Sequence, residues 1–293
     1  MTNLRQLIDW TEQRFVRSGL FFGHGAGNAL DEAAYLTLGA LDLPFDLSRE
    51  QLNGKVTDTE QERIRKLVDA RINSRKPTAY LLNKAWFGGL LFYVDERVLV
   101  PRSPIAELIR DGFSPWIKAP EVTRILDLGT GSGCIAVACA LAFPAALVDA
   151  ADISPEALEV ARINCDRHGL TQRINLVESD LFGALTDIRY DIIVCNPPYV
   201  TAGEMAALPA EYRHEPSLAL AAGVTGLDVV DRILTDAHRH ITPKGILVVE
   251  VGNARAALEA KYPRIPFVWI DFEHGGEGVF VLFNKDVQDI KDG

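Results

Sequence analysis

The stretch Asp127-Leu128-Gly129-Thr130-Gly131-Ser132-Gly133-Cys134 decides the fold class of this chain. An apolar run at 124–128 leads into it, and a helical pattern at 132–143 leaves it. Three glycines between a strand and a helix let the backbone turn tightly and approach a ligand closely, with the first helical N–H groups free to face an anion. The spacing is G-x-G-x-G, not the G-x-G-x-x-G of dinucleotide sites, and this disfavours a nicotinamide cofactor.

Outward from the loop the chain alternates. Strands are expected at 146–151, 174–177, 190–195 and 245–251, and helices at 154–168 and 226–241. The first of these helices has Ser154 as its N-cap, Pro155 in its first turn and Gly169 just past its end. Two more strands, at 267–271 and 278–283, are expected to finish the chain. Continuous apolar strands separated by helices predict an α/β fold with a mainly parallel sheet covered on both faces. Such sheets bind ligands beyond the carboxyl ends of their strands. Asp152 ends the second strand, where an acid can chelate a ribose diol, and Asp180 follows the third at the same sheet edge.

The strand at 190–195 runs into Asn196-Pro197-Pro198-Tyr199. Proline cannot donate to a sheet ladder, so two in succession terminate the strand. A residue before proline is held extended, which fixes the direction of the Asn196 side chain. Its carbonyl and that of Pro197 are two rigid acceptors, and Tyr199 adds an aromatic face. A planar nitrogen, as in a carboxamide or an exocyclic amine, has its lone pair delocalised. Using it as a nucleophile requires both N–H groups to be held and the lone pair to be aimed. The unit therefore points to planar nitrogen without choosing the molecule that bears it.

Upstream, residues 1–85 read as helices, with an apolar stripe at Leu4, Leu7, Ile8 and Phe15. Capping boxes are read at Ser48-Arg49-Glu50-Gln51 and Thr59-Glu60-Gln61-Glu62, and Pro77 is expected to end the second of the helices they start. A Gly88-Gly89 pair within 86–94 signals a short hairpin and places a domain junction there. Arg63, Arg65, Lys66, Arg71, Arg75 and Lys76 are expected to form a solvated helix face or a docking patch. The net charge of −10 is uneven: residues 1–85 carry 12 Lys/Arg against 11 Asp/Glu, leaving 18 against 29 for the remainder. That argues against a large nucleic-acid footprint on the second part and favours a cationic partner. No apolar run approaches the ~20 residues of a membrane span, and no signal-peptide core is seen. Cys134, Cys139, Cys165 and Cys195 show no zinc spacing and read as reduced thiols of a cytoplasmic protein; no metal site is expected.

The D-L-G-T-G-S-G loop, the acid ending strand two and N-P-P-Y ending strand four resemble the class I S-adenosylmethionine-dependent methyltransferases over nearly all of residues 120–285. The resemblance implies a Rossmann-like seven-stranded sheet with the last strand antiparallel and S-adenosylmethionine as cofactor. By position it implies cofactor contacts at Asp127, Gly129, Thr130, Gly131, Ser132, Gly133, Asp152, Asp180, Leu181 and Asn196, with Asn196, Pro197, Pro198 and Tyr199 as the catalytic unit. The order of helical region, hairpin, V-L-V-P-R and catalytic part, with His214-Glu215-Pro216-Ser217-Leu218-Ala219-Leu220 and Gly223-x-x-Gly226-Leu227, is similar to the bacterial protein-(glutamine-N5) methyltransferases over almost the whole chain.

Within that family, Pro101-Arg102-Ser103-Pro104-Ile105-Ala106-Glu107 departs from the P-R-P-x-T-E of the release-factor branch. With G-H-G-x-x-N-A-x-D-E at 23–32 it resembles the branch acting on large-subunit ribosomal protein L-three, a basic substrate. The implied organisation is a helical substrate-recognition domain over 1–85, followed by a hairpin linker and catalytic domain over 86–293. Arg102 and Glu107 are expected either to shape the entrance or to pair in a hairpin salt bridge. Release-factor glutamine methylation, methylation of a nucleic-acid amine and non-catalytic cofactor binding are the alternatives.

Overall fold

The computed structural model describes residues 3–273 and 275–292. Helices α1 (Leu4–Arg17), α2 (Ala29–Ala40), α3 (Arg49–Leu52), α4 (Asp58–Ser74) and α5 (Thr78–Leu82) open the chain. The expected stripe on α1 is buried, and it packs with Leu36, Ile64 and Val68 into one apolar cluster. The cap of α4 is Thr57, not Thr59. The Thr57 hydroxyl accepts from the Glu60 amide at 3.3 Å, and the Glu60 carboxylate accepts from the Thr57 amide at 2.8 Å. Two overlapping T-x-x-E spacings compete here, and the earlier one wins. The helix also stops before Pro77, at Ser74, because Arg75 turns left-handed (φ 62°).

Strands β1 (Ala85–Phe87) and β2 (Leu90–Phe92) form the hairpin. Then come α6 (Ile105–Arg110), β3 (Arg124–Leu128), α7 (Cys134–Ala142), β4 (Leu147–Asp152), α8 (Pro155–Arg167), β5 (Ile174–Glu178), β6 (Tyr190–Cys195), α9 (Ala202–Ala207), α10 (Asp228–Asp236), β7 (Ile241–Glu250), α11 (Arg255–Lys261), β8 (Val268–Trp269), β9 (Val279–Phe283) and α12 (Asn284–Asp292). Among the described residues, seven strands pair in the order β5-β4-β3-β6-β7-β9-β8, with β9 antiparallel to both neighbours. Successive strand residues feed opposite cores. Ile125, Ile192 and Val248 face α6 and α7; Leu126, Ile193 and Leu247 face α10, α11 and α12. Both faces are covered, which is what lets these strands be apolar throughout.

Boundaries in the second part also differ from the sequence reading. The helix expected over 226–241 is shorter: α10 yields to a 3-10 turn at Ala237–Arg239, and Ile241 already belongs to β7, with the Tyr190 amide donating to His240 O at 2.8 Å. The strand expected at 267–271 shrinks to Val268–Trp269, and α12 follows β9.

Candidate functional site

The glycine loop crosses the carboxyl end of the sheet. Gly129, Gly131 and Gly133 have φ of 74°, 53° and 78°, all left-handed. A Cβ at Gly129 or Gly131 would meet nothing within 4 Å, so these positions face open space; at Gly133 it would press on Ala161 Cβ at 3.1 Å. The Gly129 and Thr130 amides donate to Ala151 O at 2.8 and 2.9 Å, tying the loop to β4.

Asp127 lies fully buried beneath the loop. Its Oδ2 accepts from the Thr130 hydroxyl at 2.5 Å and the Ala136 amide at 3.0 Å, while Oδ1 has no hydrogen-bond partner. Burial pushes its carboxyl up to about 7. Asp152 Oδ2 accepts from the Gly131 amide at 2.8 Å and Oδ1 from the Ser154 amide at 2.9 Å. Burial raises this carboxyl too, and the two amides oppose the shift. Asn164 on α8, which the sequence reading did not single out, donates to Ser132 O at 2.8 Å and to Tyr93 O at 2.9 Å, joining loop to hairpin.

Gly129, Thr130, Gly131, Ser132, Asp152, Asp180, Leu181, Asn196, Pro197 and Pro198 line one cavity of about 250 Å³. Gly133 and Asp127 are not on its wall. Asp180, at its rim, accepts from Arg232 at 2.8 Å. A second cavity holds Tyr199, Val200, Glu204, Leu208, Tyr212 and Asn253. The two share Leu99, Arg102, Asn196, Pro197 and Ala219. The structure thus puts Asn196 and Pro197 in a common wall and Tyr199 on the far side of it.

The segment after the tyrosine is closed by backbone pairing. The Val200 amide donates to Leu220 O and the Ala222 amide to Val200 O, each at 2.9 Å, and the Ala202 amide donates to Gly223 O at 2.8 Å. Ala219 and Leu220 of this paired segment line the second cavity, while Pro216, Leu218, Ala219 and Ala221 line the first. Tyr199 donates its hydroxyl to Glu250 Oε1 at 3.0 Å, and Ser103 donates to Glu250 Oε2 at 2.5 Å. Burial raises the Glu250 carboxyl against these donors. Glu250 and Ser103 were not read from sequence as site residues. An acid ending an apolar strand at the ligand edge was the available signal, the one that identified Asp152.

Arg102 does not pair with Glu107; its guanidinium donates to both oxygens of Glu215, at 2.6 and 2.9 Å. Glu107 instead accepts from the Glu273 amide at 3.1 Å. Glu215 also accepts from the Val100 amide at 3.0 Å, and His24 Nε2 lies 3.4 Å away without a well-aligned hydrogen bond. Burial alone would raise the Glu215 carboxyl; His24 and Arg102 overcome it and hold the group at about 2. A second buried set lies beside it. Arg71 pairs with Glu32 at 2.6 Å and with Glu211 at 3.4 Å, and Arg75 reaches Glu211 at 3.5 Å. The expected basic face is thus broken up: Arg71 is 1% exposed, and Lys76 pairs with Glu96 at 2.8 Å.

The Methyltransferase small domain family profile matches residues 115–211. The chain is 48% identical over 287 residues to the ribosomal protein uL3 glutamine methyltransferase of Neisseria gonorrhoeae, covering 98% of this chain and 95% of the relative. The enzyme of the same name from Neisseria meningitidis serogroup B is also 48% identical over 287 residues, covering 98% and 94%. Among solved structures, the hMettl16 catalytic domain in complex with MAT2A 3′UTR hairpin 6 matches with a TM-score of 0.52 at 18% identity, covering 78% of this chain and 84% of that one. That likeness bears on the fold alone. With a seven-stranded sheet of this order, a glycine loop at its carboxyl edge and near-complete alignment to both Neisseria enzymes, the chain belongs to the ribosomal protein uL3 glutamine methyltransferase family.

Proposed function

We infer that this enzyme transfers a methyl group from S-adenosylmethionine to the N5 nitrogen of a glutamine side chain in ribosomal protein uL3. The observation that carries the reading is the shared wall, because Asn196 and Pro197 border both cavities. The cavity beside the glycine loop fits the donor. It has open space over Gly129 and Gly131, a carboxylate at Asp152 whose oxygens keep further lone pairs, and apolar Leu181 at one end. When bound, S-adenosylmethionine supplies an electrophilic methyl group on its sulfonium sulfur.

In this reading Gly129 to Ser132 take the methionine end, with Gly133 serving them from behind by turning the chain into α7, and Asp152 takes the ribose diol, while Asp180 and Leu181 take the adenine. Asp127 serves the cofactor from beneath, by fixing Thr130 and the first turn of α7. Across the wall, Asn196 Oδ1 and the Pro197 carbonyl hold the two N–H groups of the glutamine amide. Pro198 keeps the Pro197 carbonyl rigid. Tyr199 packs on the amide plane, so the lone pair is aimed through the wall and water is excluded from the path. These contributions act by orientation and fixed dipoles rather than by abstracting a proton before transfer.

Residues 1–85 serve as the substrate-recognition domain and 86–293 as the hairpin linker and catalytic domain. The separate apolar cluster within residues 4–68 supports the division. The excess acid of the second part suits a basic ribosomal protein, and no stable nucleic-acid complex is invoked. The four free, buried cysteines suit a cytoplasmic enzyme. Among the described residues, no helix is long and apolar enough to cross a membrane.

The test incubates purified uL3 with tritiated donor and either wild type or Asn196→Ala. Label on a uL3 glutamine that the variant fails to deliver supports the reading. Near-normal transfer by the variant would remove the role of Asn196. Preferential labelling of a release factor, or nuclease-sensitive label, would move the substrate elsewhere.

A further inference from the structure

The cavity wall does not account for Glu250. Its carboxylate sits at the end of β7, 5% exposed, and accepts from two hydroxyls that come from opposite directions. Ser103 belongs to the P-R-S-P segment that runs along the donor cavity, and Tyr199 lines the other one. A third element completes the mount: Gly252, with φ 46°, lies flat against the tyrosine ring, and a Cβ there would come within 2.6 Å of Tyr199 Cε2. Gly226 does the same for the backbone, since its Cβ would meet Tyr199 O at 2.5 Å. The tyrosine is therefore fixed at its hydroxyl, its ring face and its carbonyl.

Resting on the functional reading above, we propose that Glu250 is a positioning residue for methyl transfer: held by Ser103, it sets the Tyr199 ring against the glutamine amide. A tyrosine side chain has one torsion, about Cβ–Cγ, that tilts the ring, and another, about Cα–Cβ, that swings it. The Gly252 floor restrains the tilt, and the hydrogen bond to Glu250 Oε1 restrains the swing. Ser103 satisfies the second carboxylate oxygen, so the carboxylate cannot rotate away from the phenol without losing a buried partner. An aromatic plane set in this way selects one rotational state of the amide, the one whose lone pair faces the donor. The effect is expected on the orientation of the bound amide, and so on kcat rather than on KM.

The test is a double-mutant cycle with Glu250→Ala and Tyr199→Phe, read by single-turnover transfer to uL3. Each single change is expected to lower the rate by about 10²-fold, with KM for uL3 shifted by less than about threefold. The double variant is expected to be no slower than either single one, because both break the same link. Glu250→Gln, whose carbonyl can still accept from the phenol, is expected to recover most of the rate, and this variant also guards against a folding loss in the alanine variant. Multiplying effects, or a glutamine variant as slow as the alanine one, overturns the proposal. Fluorotyrosine labelling separates this outcome from a wrong substrate: the fluorine-19 resonance missing in Tyr199→Phe should shift in free Glu250→Ala, whether or not uL3 is methylated. An unshifted resonance sinks the clamp itself. A shifted resonance with no uL3 labelling by wild type leaves the clamp standing and sinks the substrate.

Discussion

Replacing Gly252 by alanine tests whether the tyrosine mount is as tight as the structure shows. At φ 46° any Cβ carries the left-handed penalty, about 1–2 kcal/mol. The methyl would also lie 2.6 Å from Tyr199 Cε2 and 3.0 Å from both Cδ2 and Cζ, where relaxed carbon contacts need roughly 3.5–4.0 Å. The ring must therefore retreat by about 1 Å. A 3.0 Å bond from Tyr199 to Glu250 stretched by that amount is no longer a hydrogen bond, and losing one to a carboxylate costs about 1.5–3 kcal/mol. The expected destabilisation is thus roughly 3–5 kcal/mol, with transfer slowed by about 10²-fold.

Gly19→Ala is the control. Its φ is 55°, and a Cβ there meets nothing within 4 Å, so it carries the backbone penalty without the collision. Urea unfolding of both variants beside wild type, with transfer to uL3 measured on the folded fraction, gives the comparison. If Gly252→Ala is no less stable than Gly19→Ala, or if it methylates within about threefold of wild type, the ring is not held as described.

Asn196→Ala should cut the transfer rate by about 10²–10³-fold, since it removes one dipole aimed at the reacting nitrogen. Asp152→Ala should instead weaken donor affinity, by about 10–100-fold in calorimetric titration, because two ribose hydroxyls lose a charged acceptor. Asp127→Asn tests linkage. The folded carboxyl titrates at about 7 and an unfolded one near ~3.9, so between those values only the folded state holds the proton. Wild-type stability contributed by this group therefore falls as pH rises through that window, by at most about 1.4 kcal/mol per unit. The advantage of the asparagine variant in urea midpoint should grow from pH ~4 to ~7, and an advantage that stays flat over the window rejects the burial argument. Glu215→Ala should destabilise by about 3–5 kcal/mol in the same assay, because it leaves Arg102 and the Val100 amide without their acceptor.

Much of the sheet was legible because the strands are mostly apolar, and β4 and β6 run into residues with a separate reason to be there. Asp152 and Asn196 combine both signals. The errors came where two local rules competed. Thr57 and Thr59 offer equal capping spacings, and only packing separates them. At the end of α10, residues 237–241 keep a helical apolar period, yet Ile241 pairs with Tyr190 on β6. Pro243 lies inside β7, but β9 pairs with β7 only from Ile246 onward, so the proline sits where no ladder partner is required on that side.

Within the site, the loop and the Asn-Pro-Pro-Tyr unit were readable since their chemistry is written in consecutive residues. Glu250, Ser103 and Gly252 were not, because their meaning arises from a meeting between segments some 150 positions apart. The same holds for Asn164, whose side chain serves two backbones that only the fold brings together.

The buried ion sets have a historical consequence. Glu211 and Glu215 stand four residues apart on one short segment, yet their partners His24, Arg71 and Arg75 come from the opening helices and the turn between them. Neither side can drift alone. Loss of Arg71 would leave Glu32 with the Thr78 hydroxyl and Glu211 with Arg75 and the Phe21 amide, and loss of His24 would leave Glu215 with Arg102 and the Val100 amide. The opening helices and residues 211–215 therefore form one unit in any exchange between relatives: a chimera that takes residues 1–85 from one lineage stays matched at its seam only where His24, Arg71 and Arg75 meet glutamates at 211 and 215.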